Sequence, residues 1–119
     1  MPVMKSYTGG CHCGEVRYET TTDLSMVVSC NCSICTKRGA LWTFVKPEQF
    51  ALRSGEDDLA DYRFYKKVIH HLFCSVCGIE SFARGRGPDG SETVAINVRC
   101  LDGVDVTTLT PTPFDGRKL

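Results

Sequence analysis

Seven of the eight cysteines in this 119-residue chain fall into three tight groups: Cys11-His12-Cys13, Cys30-Asn31-Cys32-Ser33-Ile34-Cys35 and Cys74-Ser75-Val76-Cys77. No other feature limits the fold as strongly, because each group has to bring its sulfurs to a common point. Side chains at i and i+2 of an extended backbone share a face, so Cys30 and Cys32 can aim at one spot. The following C-x-x-C turn returns Cys35 to it, which is how loops usually deliver two sulfurs to zinc at about 2.3 Å. Three thiolates leave a tetrahedral ion one ligand short, and a metal with an open position is the kind that does chemistry. The trio can equally belong to a closed structural site whose fourth ligand lies elsewhere. Spacing alone leaves both readings open.

Composition decides between metal and disulfides. Eight cysteines in a small secreted chain would suggest disulfides. Met1 to Gly10 lacks the apolar stretch of an export signal, and no apolar run approaches the ~20 residues of a membrane span. The expectation is a cytosolic protein, and in a reducing compartment grouped cysteines favour zinc. Lys+Arg and Asp+Glu are each 14, for a formal net charge of zero, and no basic run exceeds two residues. That argues against non-specific nucleic-acid binding and against a polybasic membrane surface, both of which need clustered cations. The length fits one domain, 1–119, with a modest core that metal supplements.

Along the chain, strand signals follow one another with little helix between them. Val3 to Thr8 and Val16 to Thr20 read as strands flanking Gly9-Gly10-Cys11-His12-Cys13-Gly14 as a hairpin, the glycines supplying positive φ. Met26 to Ser29 reads as a short strand, and Ser33 as the cap of a helical turn through Arg38 that Gly39 ends. Leu41 to Val45 reads as a buried strand, Pro47 as a turn, Phe50 to Arg53 as extended, and residues 54–58 as a surface loop. Leu59 to Tyr65 and Val68 to Phe73 read as strands about a turn at Lys66-Lys67. Cys74-Ser75-Val76-Cys77-Gly78 has the form of a zinc knuckle. Ser81 to Arg84 exits as a strand, Gly85 to Gly90 turns, 93–100 is the longest strand candidate, and Asp102-Gly103 and 111–118 close the chain in loops. The expected class is mainly β.

Cys11/Cys13 with Cys74/Cys77 would make one four-thiolate site across about sixty residues, a long loop to close. The trio would then hold its own ion, for two zincs per chain. The rival pairing, trio plus one pair, strands the other pair two ligands short. Spacing favours the first partition and does not exclude the second.

Three stretches together carry a resemblance: Gly10-Cys11-His12-Cys13-Gly14, then Cys30-Asn31-Cys32-Ser33-Ile34-Cys35, then Phe73-Cys74-Ser75-Val76-Cys77-Gly78. With Ala95-Ile96-Asn97-Val98-Arg99 and Phe114-Asp115-Gly116-Arg117, nearly the whole chain resembles the glutathione-dependent formaldehyde-activating enzyme family. The resemblance implies a zinc-stapled β-tent of antiparallel sheets. It implies a structural zinc on Cys11, Cys13, Cys74 and Cys77, and a second, catalytic zinc on Cys30, Cys32 and Cys35. The implied activity is that of a carbon–sulfur lyase on a glutathione–aldehyde adduct, S-hydroxymethylglutathione. Zinc would deliver the thiol as thiolate to an aldehyde carbonyl, so no protein nucleophile is needed. The alternative is a non-catalytic zinc module that binds a protein partner.

Glutathione carries two carboxylates, and Arg99 and Arg84, on strand candidates near the metal turns, suit bidentate carboxylate binding. Asn97 shares a face with Arg99 by alternation and is either a substrate contact or a structural hydrogen bond. Cys100 is left over, as a buried small residue, a fourth ligand for the second ion, or a redox nucleophile. His12 lies inside a C-x-C turn and is expected to point away from the metal. Of the adjacent His70 and His71 only one can face inward on a strand. Trp42 and Phe44 are core residues or the wall of a small-molecule pocket.

Overall fold

A computed structural model describes residues 4–63, 69–87 and 89–115. Its strands are β1 (Lys5–Gly10), β2 (Arg17–Thr22), β3 (Val28–Cys30), β4 (Trp42–Val45), β5 (Phe50–Ser54), β6 (Leu59–Tyr62), β7 (His70–Cys74), β8 (Phe82–Arg86), β9 (Glu92–Asn97) and β10 (Thr112–Phe114), with a short helix α1 at Ser33–Arg38. They form a three-stranded sheet, β1-β2-β5, and a seven-stranded sheet, β10-β3-β4-β9-β8-β7-β6. Strands pair antiparallel throughout, except that β10 runs parallel to β3.

β2 shows why the chain forms such sheets. Its sequence RYETTT buries every second residue, Tyr18, Thr20 and Thr22, as a strand with one covered face should. Tyr18 meets the other sheet: with Val16 it packs into a core shared with Phe82, Val94, Ile96 and Val98. The rings of Tyr18, Phe50 and Phe82 stand 4.8–5.8 Å apart, tilted or edge-on, the arrangement aromatic quadrupoles prefer. Each fully buried large side chain here contributes about 1.5–3 kcal/mol. The Tyr18 hydroxyl donates to the Ser81 carbonyl at 2.9 Å, so its burial strands no polar group.

The outer face of the large sheet is built differently. Its register aligns Phe44 with Ala95, Ala95 with Ala83, Ala83 with His71, and His71 with Tyr62, one row across five strands. Cys35, Ala40, Trp42 and Ala83 form a second buried cluster there, with Cys30, Cys32, Ile34 and Ala95 against it. The two alanines matter because their small side chains let the cysteine-bearing segment approach the sheet.

Several expectations shift. β1 starts at Lys5, and residue 3 lies outside the described residues, as do 64–68 with the expected Lys66-Lys67 turn and the end of the Leu59 strand. Ser33 does not cap α1: Cys32 occupies the cap position, with no side-chain cap bond, and Gly39 ends the helix at φ 68° as expected. β5 runs through Ser54, so the loop expected at 54–58 covers residues 55–58 and contains one 3-10 turn, Glu56–Asp58. The strand expected over 93–100 stops at Asn97, and Val98–Cys100 winds into a 3-10 turn. The cause is local, since the Asn97 side-chain oxygen accepts from the Arg99 amide at 3.2 Å and diverts the backbone. The closing segment, expected as loop, contributes β10. Pro113 has no N–H to give, which confines such a strand to a sheet edge, and β10 is an edge.

Candidate metal centres

The hairpin turn between β1 and β2 presents Cys11 and Cys13. Cys11 N donates to the Val16 carbonyl at 3.1 Å, and Val16 N returns a bond to Cys11 Sγ at 3.3 Å, closing the turn. Gly14 takes φ 87°, but Gly10 has no positive φ. Gly10 is required for room instead: a Cβ there would sit 2.0 Å from the Val16 carbonyl oxygen.

Sixty residues later, β7 ends in a second turn at Cys74–Cys77. The Val76 and Cys77 amides point at Cys74 Sγ (3.4 and 3.5 Å), and Gly78, at φ 81°, donates to the Cys74 carbonyl at 2.8 Å. Cys13 Sγ lies 3.6 Å from both Cys11 Sγ and Cys74 Sγ, and all four sulfurs lie within 4.8 Å of one another. A disulfide needs about 2.05 Å. Four bonds of ~2.3 Å to a tetrahedral ion put sulfurs roughly 3.8 Å apart. The spacing fits a metal.

The trio gathers separately. Cys30 ends β3, Cys32 is extended at φ −61°, ψ 167°, and Cys35 lies in α1, buried, so one strand end and one helical turn bring three sulfurs within 4.8 Å. The Cys32 amide donates to Cys30 Sγ at 3.4 Å and the Trp42 indole to Cys35 Sγ at 3.4 Å. The chain's end clamps this loop from outside: Asn31 N donates to the Phe114 carbonyl (3.2 Å) and Asn31 Nδ2 to Asp115 Oδ1 (3.0 Å). Among the described residues no further His, Cys, Asp or Glu joins either group.

The sulfurs press on one another's protonation. In the four-cysteine group, desolvation pushes Cys77 up. Amides of Cys13 and Ile79 and the thiols of Cys11 and Cys74 outweigh it, lowering Cys77 to about 6. Cys13 is raised to about 12. In the trio, burial first and the Cys32 thiol second push Cys35 up, while Cys32 is lowered. Thiols so close cannot all ionise without a cation among them, and a divalent ion supplies the missing charge.

The remaining candidates scatter. Cys100 joins neither group, and burial, then the negative charge of Cys11 and Cys77, raise it to about 11. Arg99 donates from Nε to the Gly39 carbonyl at 3.0 Å, which places it at the end of α1, near the trio. Arg84 goes the other way, its guanidinium 5.2 Å from the Phe50 ring and 5.6 Å from Phe82, on the sheet face that looks inward. Asn97 is buried, with Nδ2 donating to the Glu80 carbonyl at 2.9 Å, so its hydrogen bonds are structural. His12 is exposed, and His70 pairs with Asp61 at 2.7 Å. His71 is the buried one, but on the outer face with Ala83, its Nδ1 2.9 Å from Glu80 Oε2, while His70 shares the inward face with Arg84. Trp42 is core, while Phe44 stands 52 % exposed on the trio's face.

Glu80 and Arg38 were not singled out in the sequence. Arg38 Nη1 donates to Glu80 Oε1 at 2.6 Å, and the Glu80 side chain is only 2 % exposed. A lone acid in Gly78-Ile79-Glu80-Ser81-Phe82 was the available signal. Two hollows in the surface, one of about 310 Å³ at the Leu52 to Asp58 loop and one of about 170 Å³ beside His70 and Arg84, are not lined by cysteine.

The sequence model for the glutathione-dependent formaldehyde-activating enzyme family matches residues 6–113. A crystal structure of a Rhodobacter sphaeroides protein superposes with a TM-score of 0.79 at 30 % identity, covering 89 % of this chain and 97 % of that one.

Proposed function

This chain belongs to the glutathione-dependent formaldehyde-activating enzyme family, and from that premise we propose that it is a two-zinc carbon–sulfur lyase forming and cleaving S-hydroxymethylglutathione. The four-cysteine group, Cys11, Cys13, Cys74 and Cys77, takes the structural zinc. Cys30, Cys32 and Cys35 take the second, catalytic one. The observation that carries this reading is the trio itself: three convergent sulfurs with no fourth protein donor among the described residues.

A zinc ion in the trio would lower the pKa of a thiol beside it and so favour glutathione as thiolate. The chain's own residues do the rest. Trp42 and the Cys32 amide hold two sulfurs in place by their hydrogen bonds. Phe44 and Ala95 line the sheet face on which a small aldehyde would approach. Arg99, anchored through Nε at Gly39, keeps its terminal nitrogens for a glutathione carboxylate. Asn97 and Arg84, proposed with it from the sequence, have weaker support: Asn97 is spent on structural bonds and Arg84 lies on the inward face.

The test is exchange between formaldehyde and glutathione followed by NMR line-shape, with native protein and Cys32→Ser. The expected outcome is faster exchange with the native protein only. Equal rates would remove the lyase reading. The alternative of a non-catalytic module has no observation in its favour, and family membership does not support it.

A further inference from the structure

Resting on that assignment of the two cysteine groups, we propose that Arg38, Glu80 and His71 form a charged bridge through which the four-cysteine group positions the three-cysteine group, with Glu80 as the positioning residue. The Glu80 carboxylate is buried at 2 % exposure between two partners, Arg38 Nη1 at 2.6 Å and His71 Nδ1 at 2.9 Å. A carboxylate that deep is tolerated only when charge-paired and hydrogen-bonded. Its place in the chain is what gives it meaning. Glu80 lies three residues after Cys77, His71 three before Cys74, and Arg38 three after Cys35. Two members of the bridge therefore flank the Cys74–Cys77 turn of the four-cysteine group, and the third ends the helix that carries Cys35 of the trio.

Each joint in this path is defined. The Cys74–Cys77 turn closes through Gly78 N to the Cys74 carbonyl (2.8 Å) and Cys74 N to the Ile79 carbonyl (3.0 Å), so the turn sets the backbone entering Glu80. Asn97 Nδ2 holds the Glu80 carbonyl at 2.9 Å. Arg38 is the last residue of α1 and lies 5.2 Å from the Phe73 ring. A six-residue helix is far below the ~12–15 residues at which a helix stands alone, so α1 takes its position from such anchors. Holding Arg38 holds Cys35. By linkage the effect is reciprocal: filling either cysteine group favours filling the other.

The experiment titrates cobalt(II), whose thiolate charge-transfer absorption reports each site, into the metal-free full-length chain against a competing chelator. The affinity of the four-cysteine group is measured with the trio intact and with Cys30→Ser/Cys32→Ser, in the native background and in Arg38→Met and Glu80→Gln. Loss of the trio is expected to weaken the four-cysteine group about tenfold in the native background and under about threefold in either bridge variant. A tenfold loss that persists in both bridge variants, or no loss in the native chain, overturns the proposal. If Glu80→Gln does not fold by circular dichroism, Arg38→Met decides alone, since that side chain is 28 % exposed and Glu80 keeps His71. A native chain that takes a single cobalt overturns the assignment of the trio itself. Two cobalts bound independently overturn the bridge alone.

Discussion

The indole N–H of Trp42 points at the sulfur of Cys35 across 3.4 Å, both residues being buried. β4 thus supplies a hydrogen-bond donor to one sulfur of the trio. Replacing Trp42 with Phe keeps an aromatic ring but removes that donor and leaves space. The expected cost is about 1–3 kcal/mol in denaturant unfolding, from the lost bond and the unfilled volume. Metal bound at the trio is expected to leave faster under chelator challenge, with release from the four-cysteine group unchanged. Equal release of both metals would detach Trp42 from the trio.

The two cysteine groups are expected to differ in what they do for the fold. The four-cysteine group joins the first hairpin to the β7–β8 turn across sixty-one residues, Cys13 to Cys74, so a metal held there would contribute mainly folding free energy. Cys77→Ser should lower stability by several kcal/mol, whereas Cys32→Ser should cost under ~2 kcal/mol. Thermal unfolding with metal analysis of each variant checks this. Similar melting temperatures for the two would contradict it.

Tyr18 tests the contact between the sheets. Tyr18→Phe leaves the packing and removes only the bond to the Ser81 carbonyl, which still accepts from Asn97 N at 3.1 Å. The expected loss is about 0.5–1.5 kcal/mol. Tyr18→Ala, which empties a fully buried site, should cost about 3–5 kcal/mol.

Gly10→Ala should be far worse than Gly14→Asn. A Cβ on Gly10 meets the Val16 carbonyl oxygen at 2.0 Å, a backbone atom that cannot swing away, while nothing lies within 4 Å of one on Gly14. Asn tolerates the left-handed region that Gly14 occupies. Overpacking at Gly10 should cost about 1–3 kcal/mol or more and disturb Cys11 directly. Metal affinity of the four-cysteine group is the measurement.

Asp102 gives the fold a pH dependence. The Arg17 guanidinium, then the Thr8 hydroxyl, hold its carboxyl below the usual range against a small opposing effect of burial. A depressed folded pKa means that the contribution is complete above the unfolded value of about 3.9 and fades as pH falls through the folded one. The side chain is 52 % exposed, so screening keeps the contribution under ~1 kcal/mol. Asp102→Asn should therefore be slightly less stable at neutral pH, with the difference shrinking in high salt and closing in acid. A difference that grows below pH 4 would mean that Asp102 does not stabilise the fold as a carboxylate.

Much of this architecture was legible because strand signals and cysteine spacing are local. Alternation in Val16 to Thr20 marks the buried face of β2 directly, and Gly39 and Gly78 mark the ends of α1 and of the second knuckle. What escaped was settled by atoms far apart in sequence. The 93–100 stretch reads as unbroken strand until Asn97 bonds the Arg99 amide and Glu80 receives the Asn97 amide. Thr112-Pro113-Phe114 has too few residues and a proline, and becomes a strand only because β3 offers an edge. Arg84 and Arg99 look alike in sequence, yet alternation from Phe82 turns one inward, and the 3-10 turn carries the other to Gly39.

The order of glycine-flanked thiols along the chain determined, on its own, a mainly β protein with cysteines grouped for metal, since spacing and backbone freedom are properties of a few neighbouring residues. Spacing favoured one grouping of the sulfurs, which the fold brings together, but which arginine lies beside them, and that a buried glutamate joins α1 to the second knuckle, were decided by the tertiary structure alone. Those relations depend on sheet register and on the depth at which a charge is buried, and both exist only once distant strands have paired.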